Sequence, residues 1–459
     1  MIRGRIRLVD PADRRRVTGT YGWSESAADD AVERARRAFA SWSGLTLARR
    51  IEILRRFRRV LAGRAGDLAE QITRDTGKAI TEAREEAALL LSKIDITIEH
   101  GAREIARIDA GPSAYGLFRP YGVAAVLGPF NFPLHLAHGH IIPALAAGNT
   151  VVFKPSDKAC GAGALYARCV RAANLPPGVF NLVQGPGSIG ARLAAHPDVP
   201  LVMFTGSYRV GRDLKRRTLN QPDKVLALEM GGKNAAIICA DADLAGAAAE
   251  CARSAYATAG QRCTSTSRIF AHPRVIDEFC KKFSAAVRAL RVGDPRDPGV
   301  FCGPLITEEA VRRAEIALRE ARRLGGEPIL AGGRIVPFHG NFVALSAHRF
   351  STYPGAHRYT TEELFVPETG IYPARDPDEA IELAESVDYS LALSVFTRRR
   401  SNFDRVLARS THGVVNWNIG TIGASGRLPF GGRKRSGNAR PAGLYAIRNC
   451  VYPAAVRVK

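Results

Sequence analysis

No two of the chain's eight cysteines form a CxxC pair, and they are scattered over 459 residues. That scatter fits isolated reduced thiols better than a disulfide framework or a zinc site. One of them is available as a nucleophile. The sequence also lacks any run of about 18 uncharged apolar residues, the length a membrane-spanning helix needs. Its start, MIRGRIRLVD, carries charge but no apolar stretch of the kind a secretory signal requires, so the cytoplasm is the expected compartment and no membrane partner is expected. Internal repeats, low-complexity tracts and long Ser/Pro linkers are missing too. Closely packed domains with a site in the crevice between them follow from that.

Acidic residues are in short supply, 44 against 66 Lys and Arg, for a net charge of +22. A field of that size draws in anionic small molecules and polyanions. The basic residues are spread along the chain and are not gathered into a motif interleaved with aromatics, so nucleic acid is not the expected partner. Arg49, Arg50, Arg55, Arg56, Arg58 and Arg59 alternate with Ile51, Leu54, Phe57 and Leu61, which reads as an amphipathic helix with a basic outer face.

What is present is α/β texture. Residues 27–42, 47–76 and 78–101 have helical spacing rich in Ala, Leu, Glu and Arg. From Gly122 onward, short apolar runs alternate with helical stretches, as in a parallel sheet with crossover helices. Strands are expected at 123–127, 150–153, 179–183, 201–204 and 224–228, with Pro133 opening a helix where its missing N–H costs nothing. A second alternating region has strands at 235–239, 267–271, 328–331, 364–372, 393–397 and 414–417. Its helices are expected at 244–259, 275–290, 308–324, 377–385 and 402–410. The reading is a doubly wound, Rossmann-like cofactor domain followed by an α/β catalytic domain, with a boundary near Met230.

Four local patterns carry chemistry. Gly185-Pro186-Gly187-Ser188-Ile189-Gly190 matches GxGxxG after a strand, but no acidic residue follows about 20 positions later to hold a ribose, so a plain tight turn is equally open. Phe204-Thr205-Gly206-Ser207 places a glycine and a hydroxyl at a helix N-terminus, where anions are favoured. Gly260-Gln261-Arg262-Cys263 puts a thiol in a polar segment, more accessible than Cys239 in an apolar strand. Leu228-Glu229-Met230-Gly231-Gly232-Lys233 sets a carboxylate at a strand end, where burial raises its pKa toward that of a general base and an ordinary ion pair is the alternative. His135, His138 and His140 are spaced i, i+3, i+5, which cannot bring all three to one helical face, and no metal site is expected.

Seven motifs in order carry a family resemblance: Gly128-Pro129-Phe130-Asn131-Phe132-Pro133, Phe153-Lys154-Pro155-Ser156-Asp157, the two glycine turns, the Glu229 and Cys263 segments, Glu362-Glu363-Leu364-Phe365 and Pro429-Phe430-Gly431-Gly432. Together they resemble the aldehyde dehydrogenase superfamily over nearly the whole chain. The resemblance implies a thioester on Cys263, an oxyanion hole from the Asn131 amide and the Cys263 backbone N–H, and Glu229 as the base for hydrolysis. It implies NAD as cofactor, with NADP possible. Lys154 and Asp157 are similar to residues at the adenine ribose, Gly206 and Ser207 to those at the pyrophosphate, and Glu363 to the one on the nicotinamide ribose with Phe365 packing nearby; Gly187 and Met230 complete the implied cofactor-binding set. It further implies a homodimer or homotetramer.

Expected domains are 1–106 with 120–230 for NAD, 231–435 for catalysis, and 107–119 with 436–459 as a small β oligomerisation arm and C-terminal segment. Within the superfamily, Gly139-His140-Ile141-Ile142-Pro143, Val415-Asn416-Trp417-Asn418 and Ser436-Gly437-Asn438 resemble the succinylglutamate-semialdehyde dehydrogenases, so an anionic semialdehyde is the expected substrate. Val366, Lys233 and Asp157 depart from the pattern. A different aldehyde, or a basic binding protein that keeps the fold without the activity, is the alternative.

Overall fold

The computed structural model describes residues 4–336 and 338–459; Met1 to Arg3 of the charged start lie outside the described residues. Its first core is a five-stranded, all-parallel sheet in the order Phe180–Leu182, Thr150–Lys154, Val123–Leu127, Leu201–Thr205, Val225–Glu229. The central strands are buried on both faces because side chains alternate. Ala124, Val126, Val151, Phe153 and Met203 pack under helices that carry Phe57, Leu68 and Leu90. Val123, Ala125, Leu127, Val152 and Phe204 pack against Ala31, Ile189 and Leu193.

A second sheet of seven strands runs Glu327–Arg334, Val343–Arg349, Glu368–Pro373, Thr266–Ala271, Asn234–Ile238, Ala392–Phe396, Val414–Trp417. All its pairings are parallel except the first. Four residues, Met230 to Lys233, join the last strand of one sheet to the first of the other. The carboxyl ends of the first sheet therefore face the amino ends of the second. A small antiparallel sheet unites Ile108–Asp109, Ala114–Pro120 and Val451–Arg457. Among the described residues no helix is long and apolar enough to cross a membrane.

The local differences from the sequence reading have physical causes. The helix expected over 47–76 is two, Leu47–Gly63 and Ala65–Thr76, broken where Arg64 leaves helical geometry at φ −118°. Pro133 does not open a helix: the helix is His135–Ala147, and Pro143 sits inside it. The helix expected over 244–259 ends at Tyr256, because Thr258 and Ala259 turn left-handed. Only Glu368–Pro373 of the strand expected over 364–372 forms; Phe365, at φ 56°, lies in a loop. The Gly4–Asp10 and Asp13–Trp23 hairpin escaped the reading since arginines at exposed positions obscure its alternation.

Candidate active site

In the five-stranded sheet, the chain leaves Val123–Leu127 toward one edge and Leu201–Thr205 toward the other. Their adjacent carboxyl ends form the switch-point crevice where doubly wound sheets bind nucleotides. A cavity of about 610 Å³ opens there. Lys154, Asp157, Gly187, Gly206, Ser207 and Met230 line one side, and Asn131, Cys263, Glu363 and Phe365 complete it. Every residue given a catalytic or cofactor-binding role in the sequence borders this cavity except Glu229.

Cys263 is held by a strained turn. Thr258, Ala259 and Gly260 are consecutively left-handed, at φ 55°, 54° and 69°. A side chain at Gly260 would place its Cβ 2.4 Å from the Val366 carbonyl. Left-handed non-glycine residues cost about 1–3 kcal/mol each and persist only where surroundings enforce them. Here the buried Glu82 carboxylate accepts from the Thr258 N–H at 3.1 Å and from the Arg262 guanidinium at 2.7 Å. Asn234 Nδ2 donates to the carbonyls of Cys263 and Ser265 at 2.7 and 2.9 Å, while its Oδ1 accepts from Ala392 N–H at 3.0 Å. A Cβ on Gly232 would stand 2.3 Å from the Cys263 carbonyl, so only glycine lets the two segments meet.

Of the eight cysteines, Cys263 alone is not buried. Its thiol is nonetheless pushed well up, first by desolvation and then by the charges of Glu229 and Glu363. It is a thiol at neutral pH, and attack requires that its proton be removed. Asn131 Nδ2 donates one of its two hydrogens to the Gln261 carbonyl at 2.8 Å, which fixes the amide beside the Cys263 segment and leaves the second hydrogen free.

Glu229 closes its strand, 1% exposed, with neither carboxylate oxygen hydrogen-bonded. Burial raises its pKa well above the usual carboxylate range, opposed by Arg440. The C-terminal segment covers it: Met230 N–H donates to the Ser436 carbonyl at 2.8 Å, and a Cβ on Gly431 would lie 3.3 Å from Glu229 Oε2. A buried carboxylate kept without a partner is costly, which makes Glu229 a candidate functional group.

On the opposite wall, Glu363 Oε1 accepts from Gly232 N–H at 3.0 Å, and burial lifts its pKa to about 7. Gly231 is required for that approach, since a Cβ there would lie 2.1 Å from Glu363 Oε2. Phe365 meets Phe130 edge-on at 5.9 Å. Lys154 is buried, with Nζ on the Pro155 carbonyl at 2.8 Å, and Asp157 pairs with Lys158 at 3.3 Å. Lys233 turns away from the cavity, donating to the Tyr359 carbonyl at 2.7 Å. The histidines serve separate partners: His138 contacts Tyr166 Oη at 2.7 Å and His140 Nε2 contacts Thr205 Oγ1 at 3.1 Å. Sequence reasoning missed Glu82 and Asn234. Glu82 lies 180 residues before Arg262, and only folding brings the two together.

Comparison with known proteins agrees with this geometry. An N-succinylglutamate 5-semialdehyde dehydrogenase of Escherichia coli (strain K12) is 37% identical over 449 residues, spanning 96% of this chain and 90% of the relative. One from Chromohalobacter salexigens is 38% identical over 454 residues, spanning 96% and 91%. Aldehyde dehydrogenase C of Pseudomonas syringae, solved as a mutant with NAD+ and octanal, superposes with a TM-score of 0.93 at 29% identity, covering 99% of this chain and 93% of that one. Residues 2–456 match the aldehyde dehydrogenase family, and the chain belongs to that family.

Proposed function

We propose that the protein oxidises a carboxylate-bearing aldehyde of the N-succinylglutamate semialdehyde class to the acid, with NAD accepting hydride, through a thioester on Cys263. One observation carries the reading: the chain's only accessible thiol shares a nucleotide-type crevice with a free amide N–H from Asn131, and an unpartnered buried carboxylate, Glu229, is the first charged group acting on it.

The Cys263 sulfur bonds to the carbonyl carbon as its proton passes toward Glu229. The carbonyl oxygen gains negative charge, which the free Asn131 N–H stabilises by roughly 3 kcal/mol, the usual worth of one such donor. NAD supplies a hydride acceptor, and the crevice fits it: Gly206 and Ser207 open a helix toward the cavity, where phosphate is favoured, and Glu363 is pinned to receive a ribose. Collapse of the adduct leaves a thioester. Glu229, once it has passed the thiol proton on to solvent, is ionised and takes a proton from water, which attacks the thioester carbon and frees the thiolate and the acid. Asp157 beside the adenine-ribose wall repels a second phosphate and favours NAD, although Lys158 at 3.3 Å offsets part of its charge.

The domain ranges 1–106 with 120–230, 231–435, and 107–119 with 436–459 complete this reading. So do a cytoplasmic location and a homo-oligomer formed through the three-stranded arm, whose Ile108 and Tyr452 are exposed. The test is a single-turnover assay. Glu229→Gln is expected to release at most one NADH per subunit, more slowly than wild type because the thiol has lost its proton acceptor, and then stall with a trapped acyl group on Cys263; Cys263→Ala is expected to release none. Wild-type protein that forms no NADH with a broad panel of semialdehydes and simple aldehydes would refute the proposal.

A further inference from the structure

The Ile80–Glu99 helix supports the nucleophile turn with one face. Glu82 receives Thr258 and Arg262, and one turn later Glu86 accepts the N–H groups of Leu134 and His135, each at 3.0 Å. Seven residues beyond Glu86, on the same face, stands Lys93. Its ammonium is wedged between two glycines. A Cβ on Gly139 would lie 3.7 Å from Lys93 Cε and 3.9 Å from Nζ, and one on Gly426 would lie 3.7 Å from Nζ. Burial alone draws the pKa of Lys93 down to about 8, with no carboxylate acting against it.

His135 precedes Gly139 by one helical turn and faces the same space. Its Nδ1 is buried without a hydrogen-bond partner. Desolvation, followed by the charge of Lys93, holds the ring neutral. A desolvated cation beside an unpartnered imidazole nitrogen, with no acidic side chain among the described residues acting on the cation, is an arrangement that a negative group completes.

The place is within reach of the reacting carbon. His135 follows Asn131 by four residues, and its ring meets that of Phe132, the neighbour of Asn131, edge-on at 6.0 Å. The loop that carries Gly426 is tied to the nucleophile segment, because Thr421 Oγ1 donates to the carbonyl of Thr264, the neighbour of Cys263, at 2.6 Å.

We infer that Lys93 and His135 form the site that binds the carboxylate of the substrate, selecting aldehydes that carry one. This rests on the aldehyde oxidation proposed above and names the residues that read the substrate's charge.

The test compares 4-oxobutanoate with butanal, and 5-oxopentanoate with pentanal, as substrates of the NAD-loaded protein. Wild type, Lys93→Met and Lys93→Arg are each first checked for an unchanged melting temperature and for one rapidly alkylated thiol per subunit. Wild type is expected to favour the oxo acids in kcat/KM. In Lys93→Met that preference falls about 10- to 100-fold, the worth of one hydrogen bond to a charged group, chiefly through KM. Lys93→Arg keeps most of it. As a check free of variants, glutarate should protect wild type against thiol alkylation at lower concentration than butyrate does. A preference for oxo acids that survives Lys93→Met overturns the assignment of Lys93 while leaving the proposed function standing. Wild type that oxidises charged and uncharged aldehydes equally overturns both the site and the anionic substrate class. No oxidation of any aldehyde overturns the function itself.

Discussion

Asn234→Ala tests whether the nucleophile is positioned by the second sheet and not by its own loop. The amide of this buried residue makes three hydrogen bonds, to the carbonyls of Cys263 and Ser265 and from the N–H of Ala392. Truncation strands all three backbone groups. An unsatisfied buried group costs about 1–3 kcal/mol, so a loss of roughly 3–6 kcal/mol is expected after partial relaxation or entry of a water. The Cys263 carbonyl loses its tether, and a displacement of about 1 Å at a reacting atom costs on the order of 100-fold in rate. The expected result is a lower melting temperature, kcat reduced about 100-fold per active site, and little change in the KM for NAD. Active sites are counted by burst NADH or thiol alkylation, so that unfolded protein does not pass for slow protein. Near-wild-type kcat together with a near-wild-type melting temperature would refute the reasoning, because it would mean that the left-handed turn and Glu82 hold Cys263 unaided.

Gly231→Ala forces a Cβ onto Glu363 and should raise the KM for NAD at least about tenfold, the order expected when one charge-assisted hydrogen bond is lost, while Cys263 remains open to alkylation. Asp157→Asn removes the charge that opposes a 2′-phosphate; the ratio of NADP to NAD efficiency should rise about tenfold or more, with Lys158 then free to aid the phosphate. Acid should slow hydrolysis of the thioester. Glu229 is protonated below its raised pKa and works as a base only above it, so kcat climbs with pH beyond the ordinary carboxylate range, and the residual deacylation rate of Glu229→Gln should show no such limb. The opposite limb belongs to Lys93, charged below about 8 and neutral above it. The KM for 4-oxobutanoate should therefore rise as pH passes 8 while that for butanal does not. His138 and His140, lowered by burial to about 3 and about 4, and His135, also lowered, stay neutral throughout and do not blur the profile.

Much of the site was legible because each of its motifs is local. Phe204 to Ser207 is a strand, a glycine and a helix-capping hydroxyl within four residues, and Ser207 does cap the following helix, accepting from Val210 N–H. The accessibility of Cys263 against Cys239 likewise followed from the polarity of its own segment. Helix ends were less legible. The break at Arg64 is flanked by Gly63 and Gly66, a signal weaker than the helical spacing on either side, and the early stop at Tyr256 has no glycine or proline beside it.

What the sequence by itself determined is a set of candidate groups in local motifs and most of the strands that carry them, since alternation and glycine placement are properties of neighbouring residues. What only the tertiary structure decided is how those groups are tuned. Glu82 reaching Thr258, Asn234 reaching Cys263, Gly232 yielding space to a carbonyl, and Lys93 lying bare of any carboxylate are contacts between distant segments. Burial, strain and pKa arise from such contacts, because desolvation depends on everything packed around a group and not on its neighbours in the chain.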